Sequence, residues 1–291
     1  MQNRVCKPIL KWAGGKSTLN EVIEKYYINL KFNRYIEPFF GGGAVFFNII
    51  NKFNIEKRDL YINDANKDLI QLYKHIKSKS SSLIKEYEKV LQNYTGEKDY
   101  YRVRDLYNAR DINISPLMRS SLLMLLNKTC FNGLYRVNSK GEFNVPVGRY
   151  ANASFIKSEQ ISQLSKVLPP SRNITSKDYK DVIIKRNDLV YFDPPYVPLN
   201  ETSYFTDYSV KFGLEQQKDL ADHFKSADSK GAYVIASNSN TKIVRDLYKG
   251  FKIIPIDASR NINSVASKRK KIKELLIIGN KILDTLVTFK K

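Results

Sequence analysis

Two stretches of this 291-residue chain alternate short apolar strands with helices, and this alternation constrains the fold more than any other feature. The first stretch runs from the N-terminus to about residue 68, and the second begins near Ile174. Strands that alternate with helices are typical of a parallel sheet with helices packed on its faces. We therefore predict an α/β fold in which both stretches contribute strands to one sheet.

Apolar runs place the individual elements of the two stretches. In the first, a strand ends at Pro38, a helix follows over residues 44–50, and a second strand covers residues 60–64. In the second, one helix is expected over residues 214–226. The candidate strands of the second stretch are residues 189–192, 233–236, 251–256 and 275–278. The carboxyl ends of such strands are where α/β proteins place their active sites.

The residues between the two stretches have a different character. The pattern is helical and rich in Lys and Ser over residues 69–91, and a helix with a dense apolar face covers residues 118–128. Residues 131–150 contain three glycines and alternate in character, which predicts hairpins and loops. We predict that residues 69–156 form an inserted substrate-recognition domain, whereas residues 1–68 and 157–291 form a catalytic domain. The competing interpretation is a helical cap with no ligand role.

The chain is strongly basic. Lys and Arg number 49 against 29 Asp and Glu, a formal net charge of +20, and such an excess attracts a polyanion such as nucleic acid. A basic protein without that partner, from an AT-rich genome that favours Lys, Asn and Ile, would have a similar composition. The net charge alone therefore does not distinguish these two interpretations, and sequence motifs are needed to do so.

Composition argues against several other classes. An apolar fraction of 42% supports a folded core rather than a disordered chain. The two Cys and two His offer no ligand cluster for a zinc deaminase, and a disulfide between Cys6 and Cys130 has no support in the sequence. The N-terminus has no secretory apolar run and no stretch is long enough to span a membrane, so we expect a cytoplasmic protein.

A glycine-rich turn stands where the first strand would lead into a helix. Residues 39–43 have the pattern F-x-G-x-G, in which glycines let the backbone turn sharply and let a ligand approach it. The dinucleotide fingerprint G-x-G-x-x-G is not met, because Phe46 occupies the place of its last glycine. Methyltransferases use F-x-G-x-G for an adenosine cofactor, which makes Phe39, Gly41 and Gly43 candidate cofactor residues. Such turns are also common as purely structural features.

Two further residues strengthen the cofactor prediction. Asp64 ends the next strand, where a carboxylate can accept hydrogen bonds from ribose hydroxyls; its structural alternative is a helix N-cap, a role that Asn66 could fill instead. The single tryptophan, Trp12, suits a stacking wall for a flat ligand, or else a core position at a turn. The neighbouring Gly14-Gly15-Lys16-Ser17 resembles a P-loop, but Leu10 occupies the place of a glycine that the Walker A motif needs.

The most specific motif is Asp193-Pro194-Pro195-Tyr196, which follows the apolar strand at residues 189–192. The prolines stiffen the turn and remove two backbone donors, so the Asp193 carboxylate and the Pro194 carbonyl form a fixed pair of acceptors. An exocyclic amine has two hydrogens to donate to such a pair, and donating both draws its electron pair from the ring toward a methyl group. We predict that Asp193, Pro194 and Tyr196 are catalytic, with Tyr196 stacking on the base.

Together these motifs resemble the Dam family of DNA adenine-N6 methyltransferases over nearly the whole chain. The similar segments are residues 10–16, 37–43, 63–64, 193–196, 205–208 and 237–240. The resemblance implies a Rossmann-like sheet that binds the methyl donor S-adenosyl-L-methionine without a metal, and an inserted, mainly helical DNA-recognition domain with a β-hairpin. It assigns cofactor contacts to Trp12, Lys16, Asp64 and Asp193.

The resemblance also covers the segment that recognises the DNA sequence, residues 131–136 and 141–150. Family members commonly methylate adenine in GATC, which implies that Arg136 contacts O6 and N7 of a guanine in the major groove. Phe131 corresponds to an aromatic residue that inserts at the flipping site. The implied DNA contacts are Lys11, Phe131, Asn132, Leu134, Arg136, Pro146 and Arg149. One departure is the stretch 127–130, which is often more basic or contains histidine in other members.

An adenine inside a duplex is out of reach of an enzyme, so the resemblance implies that the target base rotates into a pocket. The partner is then double-stranded DNA, and the basic run 268–271 is either a phosphate clamp or a solvated surface. We expect a monomer that does not need a cognate restriction endonuclease for activity, whether its role is restriction–modification or genome methylation.

Three alternatives stay open on the sequence alone. Cytosine-N4 methylation uses the same chemistry, although that group more often begins its motif with Ser. RNA methylation fits less well, because the RNA-directed relatives usually begin with Asn. The third alternative is a DNA-binding protein that has lost catalysis, and the complete motif at residues 193–196 argues against it.

Overall fold

A computed structural model describes residues 6–12, 17–109, 114–150, 153–197, 212–259 and 271–288. Lys16, the segment 205–208 and residues 268–270 of the basic run were singled out from the sequence and lie outside these ranges. Within the described ranges the chain forms ten α-helices and seven β-strands, so the predicted α/β class is confirmed. No helix among the described residues is long and apolar enough to cross a membrane.

The seven strands form one sheet in the order β3-β2-β1-β4-β5-β7-β6. The strands are β1 (Tyr35–Glu37), β2 (Leu60–Asn63), β3 (Ile174–Thr175), β4 (Leu189–Phe192), β5 (Tyr233–Ser239), β6 (Lys252–Ser259) and β7 (Lys271–Ile278). β1 runs parallel to both β2 and β4, and β4 runs parallel to β5. The strand order therefore reverses between β1 and β4, and the carboxyl ends of the strands at such a switch point are where open α/β sheets bind ligands.

One strand departs from the parallel arrangement that is typical of alternating strands and helices. β7 runs antiparallel to both of its neighbours, β5 and β6. Only residues 260–270 join β6 to β7, and this link is shorter than the crossover of about a dozen residues that parallel neighbours need. The chain therefore returns antiparallel to β6 and inserts β7 between β5 and β6.

The helices account for most of the remaining chain. They are α1 (Ser17–Tyr27), α2 (Ala44–Lys52), α3 (Lys67–Ser78), α4 (Ser80–Gln92), α5 (Glu97–Asn108), α6 (Pro116–Thr129), α7 (Ser158–Val167), α8 (Leu214–Ser229), α9 (Lys242–Leu247) and α10 (Asn280–Thr288). The helical pattern at residues 69–91 is two helices, which meet at Lys79. α5 was not predicted, because tyrosines such as Tyr100 and Tyr107 form much of its buried side.

The chain divides into two compact units. The first unit comprises residues 1–15, 41–58 and 63–176, and the second comprises residues 16–40, 59–62 and 177–291. The first unit therefore contains the glycine turn from Gly41, Asp64 and the segment 131–150. The second unit contains β1, β4 to β7 and the motif at residues 193–196.

Each unit has its own buried core. In the first unit, α6 begins at Pro116, and the side chain of its N-cap Ser115 accepts a hydrogen bond from the Met118 N–H. Its residues 120–127 and Thr129 are buried, and they include polar as well as apolar side chains. Helices α3, α4 and α5 pack around it. In the second unit, Phe192 and Phe224 belong to a buried cluster between the sheet and its helices. The two cysteines are buried free thiols.

Candidate active site and DNA-contact surface

The catalytic loop begins where β4 ends, at the carboxyl edge of the sheet. β4 is buried along its whole length, and Asp193 follows its last residue. Oδ1 of Asp193 accepts a hydrogen bond of 2.8 Å from the Ser237 hydroxyl on β5. The Ser237 hydroxyl in turn accepts a hydrogen bond of 3.0 Å from the Tyr191 hydroxyl. Ser237 and Tyr191 are each at most 1% exposed. The Tyr191–Ser237 relay therefore orients the carboxylate from within the core.

Two buried amide side chains hold the backbone on either side of Tyr196. The Gln217 amide donates 2.8 Å to the Pro195 carbonyl, and Oδ1 of Asn238 accepts 3.3 Å from the Val197 N–H. The two amides also bond each other, since Nδ2 of Asn238 donates 2.9 Å to Oε1 of Gln217. The conformation of the loop therefore depends on a buried hydrogen-bond network as well as on its prolines.

Carboxylate groups surround the catalytic loop. The Tyr196 hydroxyl donates 3.0 Å to the buried carboxylate of Glu274 on β7. Burial, reinforced by the charge of Asp193, raises the pKa of Tyr196 well above its ordinary value. Burial also raises the pKa of Tyr191, and the charges of Asp193, Glu37 and Glu274 add to that effect. Three carboxylates of the second unit thus act on one region, which favours a cationic ligand there.

The glycine turn and Asp64 meet in the first unit. Gly41 and Gly43 have φ angles of 50° and 72°, in the left-handed region that favours glycine. The Gly41 N–H donates 2.8 Å to one carboxylate oxygen of Asp64, and the Asn66 N–H donates 2.9 Å to the other. The N-cap of α3 is Asn66, whose side chain accepts 3.0 Å from the Leu69 N–H. Asp64 is therefore not the cap, and two backbone donors orient its carboxylate toward the glycine turn.

The remaining capacity of the Asp64 carboxylate suits ribose. A carboxylate has about four acceptor sites, of which the two N–H groups use two. Burial raises the pKa of Asp64, and the N–H donors of Asn66 and Gly41 oppose that effect. The ionised group could thus accept hydrogen bonds from two neighbouring hydroxyls.

Trp12 lies against the glycine turn. A Cβ atom added to Gly41 would be 2.7 Å from Cδ1 of Trp12, so only glycine allows this close approach. The half-buried indole also stacks on Tyr135, with ring centroids 5.3 Å apart and an interplanar angle of 20°. Phe39 belongs to the second unit, where its ring packs against Tyr179 at 5.1 Å and Phe212 at 5.8 Å.

The segment 131–150, which we call the recognition hairpin, pairs with itself at isolated antiparallel bridges rather than as long strands. The bridges join Cys130 to Val147 and Val137 to Phe143. The Asn108 side chain of α5 both donates to and accepts from the Phe143 backbone, at 2.9 and 2.7 Å. Helix α5 therefore fixes the position of the hairpin in the first unit.

The predicted DNA contacts occupy the solvent-facing side of this unit. Five of them are exposed, namely Lys11, Asn132, Arg136, Pro146 and Arg149, and the other two, Phe131 and Leu134, are half-buried. The Phe131 N–H donates 2.8 Å to the Pro146 carbonyl, which brings the two ends of the hairpin together. The Arg136 Nε donates 2.8 Å to Oδ1 of Asn144, and its Nη2 donates 3.3 Å to the Asn144 carbonyl. Asn144 thus holds the exposed guanidinium in place.

Lys11 joins this surface through Asn127. The buried Asn127 side chain accepts 2.9 Å from the Lys11 N–H and donates 2.7 Å to the Lys11 carbonyl. It also donates 3.2 Å to the Gly133 carbonyl of the hairpin. The Lys11 ammonium lies 4.6 Å from the centre of the Tyr150 ring. The N-terminal segment and the hairpin are therefore connected by one amide.

Several residues of these sites were assigned no individual role from the sequence. They act through others, and they are Asn127, Tyr135, Asn144, Gln217, Ser237, Asn238 and Glu274. One signal was available: Ser237-Asn238-Ser239 ends an otherwise apolar strand, and buried polar residues need partners. In the described part of the chain, no group of three or more His, Cys, Asp or Glu could hold a metal ion.

The reversal of strand order at β1 and β4, with an acceptor loop at the carboxyl end of β4, defines a Rossmann-like methyltransferase. Comparison with known proteins narrows this class. The family model of D12 class N6 adenine-specific DNA methyltransferases matches residues 12–262. The chain belongs to this family and is an adenine-specific DNA methyltransferase, and the family implies S-adenosyl-L-methionine as the methyl donor.

Individual relatives agree with the family. The chain is 40% identical over 288 residues to "Type II methyltransferase M.MjaIII" of Methanocaldococcus jannaschii, covering 94% of this chain and 99% of the relative. It is 40% identical over 280 residues to "Type II methyltransferase M1.LlaDCHI" of Lactococcus lactis subsp. cremoris, covering 93% and 94%. It is 37% identical over 278 residues to "DNA adenine methylase" of Haemophilus influenzae, covering 94% and 93%. The predicted resemblance is confirmed, and adenine-N6 chemistry is favoured over cytosine-N4 and RNA methylation.

Proposed function

We propose that this chain rotates an adenine of the sequence GATC out of duplex DNA and methylates its N6 amine at Asp193. Adenine-specific DNA methylation follows from the family. The residues, the base rotation and the site are our proposal. The observation that carries its catalytic part is the 2.8 Å hydrogen bond through which the buried Ser237 orients the Asp193 carboxylate.

Asp193 and Pro194 would act on the target amine as a pair of acceptors. Gln217 already occupies the Pro195 carbonyl, so we assign the Pro194 carbonyl to the amine. An amine that donates one hydrogen to each acceptor has its lone pair directed away from the ring and toward the methyl group. Because the acceptors are fixed before the reaction, they need little reorganisation in the transition state. The Tyr196 ring, anchored through its hydroxyl, would stack on the base.

Each unit contains candidate residues for the methyl donor. S-adenosyl-L-methionine, when bound, supplies an activated methyl carbon on a positively charged sulfur. In the first unit, Asp64 would accept its ribose hydroxyls, the glycine turn would let it approach the backbone, and Trp12 would line its adenine. In the second unit, the carboxylate of Asp193 suits the positive sulfur. The proposed cofactor residues are Trp12, Lys16, Phe39, Gly41, Gly43, Asp64 and Asp193.

The proposal for DNA rests on the charge and exposure of the recognition hairpin, and we propose residues 69–156 as the target-recognition domain. Arg136 is exposed and Asn144 holds its guanidinium, so little side-chain freedom is lost when it bonds a guanine. Phe131 is half-buried beside the exposed Pro146, and we assign it to the gap that the rotated adenine leaves. The proposed DNA contacts remain Lys11, Phe131, Asn132, Leu134, Arg136, Pro146 and Arg149.

The catalytic assignment is tested by Asp193→Ala, measured as transfer of a labelled methyl group to a GATC duplex. We expect transfer to be abolished while the variant stays folded, although the loss of the acceptor for the buried Ser237 hydroxyl should lower the denaturation midpoint. Asp219→Ala is the matched control, since Asp219 is exposed and pairs with Lys180 on the surface. Near-normal turnover in Asp193→Ala would refute the assignment. Digestion of the product to nucleosides should yield N6-methyladenine.

The recognition assignment is tested by Arg136→Ala. A single bidentate pair discriminates against the wrong base by about 1–3 kcal/mol, so the preference for GATC should fall roughly 5- to 150-fold, with less change in nonspecific binding. Arg102→Ala is the matched control, because this exposed arginine of the same unit is held by Asp99. An unchanged preference in Arg136→Ala would remove it from the contacts. Sequencing DNA from cells that express the chain should find modified adenines in GATC.

We further propose that the chain acts as a monomer and without a cognate restriction endonuclease. Light scattering during gel filtration should give the mass of one chain, and the purified protein alone should methylate DNA. A dimer mass, or activity only after an endonuclease is added, would contradict these two points. Whether the methylation protects DNA from restriction is decided by digesting methylated plasmid with endonucleases that cut at the modified site.

A further inference from the structure

Tyr135 lies between Trp12, which we propose as a cofactor contact, and Arg136, which we propose as a DNA contact. Its ring stacks on Trp12, at a centroid distance of 5.3 Å and an angle of 20°. Trp12 lies against Gly41, close enough that a methyl group on this glycine would collide with the indole. Arg136, the proposed guanine contact, is the next residue along the chain after Tyr135. A single aromatic contact therefore separates the wall of the cofactor pocket from the residue that recognises the DNA sequence.

The residues around Trp12 limit the directions in which its indole can move. Asn127 bonds both backbone groups of Lys11, at 2.9 and 2.7 Å, so the chain just before Trp12 is held. Gly41 lies so close to the indole that a Cβ atom added to it would be 2.7 Å from Cδ1 of Trp12, which restricts movement of the ring toward this glycine. A shift of the indole is therefore transmitted most directly to the stacked Tyr135 ring.

Tyr135 is also held on the hairpin side. Its ring meets the buried Phe143 ring edge-on at 5.7 Å, and the backbone of Phe143 is clamped by Asn108. Hairpin residue Asn144, which follows Phe143, bonds the Arg136 side chain. The position of Tyr135 is thus coupled through Phe143 to its chain neighbour Asn144, which orients the Arg136 guanidinium.

We infer that Tyr135 is a positioning residue through which cofactor binding at Trp12 and DNA recognition at Arg136 strengthen each other. The inference rests on the proposed roles of Trp12 and Arg136. A ligand that seats the indole against Gly41 would favour the stacked position of Tyr135 and hence the bonded position of Arg136. Because linkage is reciprocal, a bound cognate duplex would tighten cofactor binding by the same factor.

The strength of one aromatic pair sets the size of the effect. Stacked pairs contribute enough free energy to change an equilibrium constant about two- to tenfold. We therefore expect the dissociation constant of S-adenosylhomocysteine, the demethylated cofactor, to fall by that factor when a cognate duplex is present. A duplex with a scrambled site should produce little of this change.

The single tryptophan makes the coupling directly observable. Trp12 is the only tryptophan in the chain, so tryptophan emission reports on the surroundings of this one indole. Affinities for S-adenosylhomocysteine are measured by calorimetry with and without a short duplex carrying a site that the enzyme is first shown to methylate. In the wild type we expect duplex binding to change Trp12 emission even without cofactor.

Three variants separate the stack from general structure. Tyr135→Phe keeps the ring and should keep the coupling, whereas Tyr135→Leu keeps apolar volume without the ring and should lower the coupling factor to about one. Tyr101→Ala is the control, since this tyrosine of the same unit contacts Tyr100 and Arg104 instead. It should retain both the coupling and the emission change. Equal denaturation midpoints would show that Tyr135→Leu remains folded.

The outcomes distinguish the inference from the function on which it rests. If Trp12→Phe and Arg136→Ala leave cofactor affinity and site preference unchanged, the proposed roles fail. If those roles hold but the wild-type coupling factor is one, or Tyr135→Leu keeps it, the inference alone is overturned. Loss of coupling in Tyr135→Leu, with retention in Tyr135→Phe and Tyr101→Ala, supports it.

Discussion

Replacing Ser237 with alanine tests how the catalytic carboxylate is held. The change removes the hydroxyl that donates a 2.8 Å hydrogen bond to Asp193, and it leaves the residues of the catalytic loop itself unchanged. Ser237 is fully buried, so water cannot easily replace its hydroxyl. The Asp193 carboxylate then loses a donor that stabilises both its charge and its orientation.

The expected magnitude follows from this one bond. A hydrogen bond to a charged group contributes about 1.5–3 kcal/mol, and each ~1.4 kcal/mol in the transition state is tenfold in rate. We expect kcat to fall roughly 10- to 100-fold with little change in KM for DNA.

The same substitution also affects folding, which a second variant separates from catalysis. Ser237→Ala leaves the buried Tyr191 hydroxyl without the acceptor it has at 3.0 Å, at a cost of about 1–3 kcal/mol in the free energy of unfolding. Tyr191→Phe combined with Ser237→Ala removes that stranded hydroxyl. The double variant should regain stability in urea titrations, yet remain as slow as Ser237→Ala in single-turnover methyl transfer.

Two results would refute this reasoning. A Ser237→Ala enzyme with wild-type kcat would show that the hydrogen bond does not orient the reacting carboxylate. Recovery of kcat together with stability in the double variant would show that Ser237 matters only for folding. Tyr191→Phe alone is informative as well, since it keeps the Ser237–Asp193 bond and should lower the rate less than Ser237→Ala.

Three further predictions concern other parts of the structure. Because burial raises the pKa of Asp64, cofactor affinity should fall on acidification at a higher pH than it would for an ordinary aspartate. Asp64→Asn should bind the cofactor weakly at every pH, and calorimetry over a range of pH measures both effects. Gly133→Ala would place a Cβ atom 2.4 Å from Cβ of Lys11 at a φ of +65°. Urea titration should show a free energy of unfolding that is lower by about 1–3 kcal/mol, and the variant should bind duplex more weakly. Gln217→Leu removes the donor to the Pro195 carbonyl, so kcat should fall while cofactor affinity measured without DNA is unchanged.

Elements with a strong local pattern were predictable from the sequence. The strand expected at residues 189–192 is β4, Leu189–Phe192, because a short apolar run between polar residues and prolines has few alternatives. The helix expected at residues 44–50 is α2, Ala44–Lys52, which follows the glycines of the turn. α5 escaped prediction, and the recognition hairpin forms only isolated bridges, because neighbouring helices rather than local pattern hold both.

The candidate site shows the same division. Asp193, Pro194 and Tyr196 are recognisable because their chemistry lies in consecutive residues. Their partners are distant in sequence: Ser237 is 44 residues from Asp193, and Glu274 is 78 residues from Tyr196. No local pattern specifies which buried hydroxyl will face which carboxylate.

The sequence by itself determined the kinds of group that this protein can use: acceptors in a stiffened turn, glycines that tolerate left-handed backbone, a carboxylate at a strand end, and an excess of positive charge. These properties depend on residue type and on neighbours along the chain. The tertiary structure decided how the groups are held, including the antiparallel β7 that brings Glu274 to Tyr196, the turn of Asp64 toward Gly41, and the stacking of Tyr135 on Trp12. The physical reason is that buried hydrogen bonds and ring contacts form between strand ends and loops that only non-local pairing brings together.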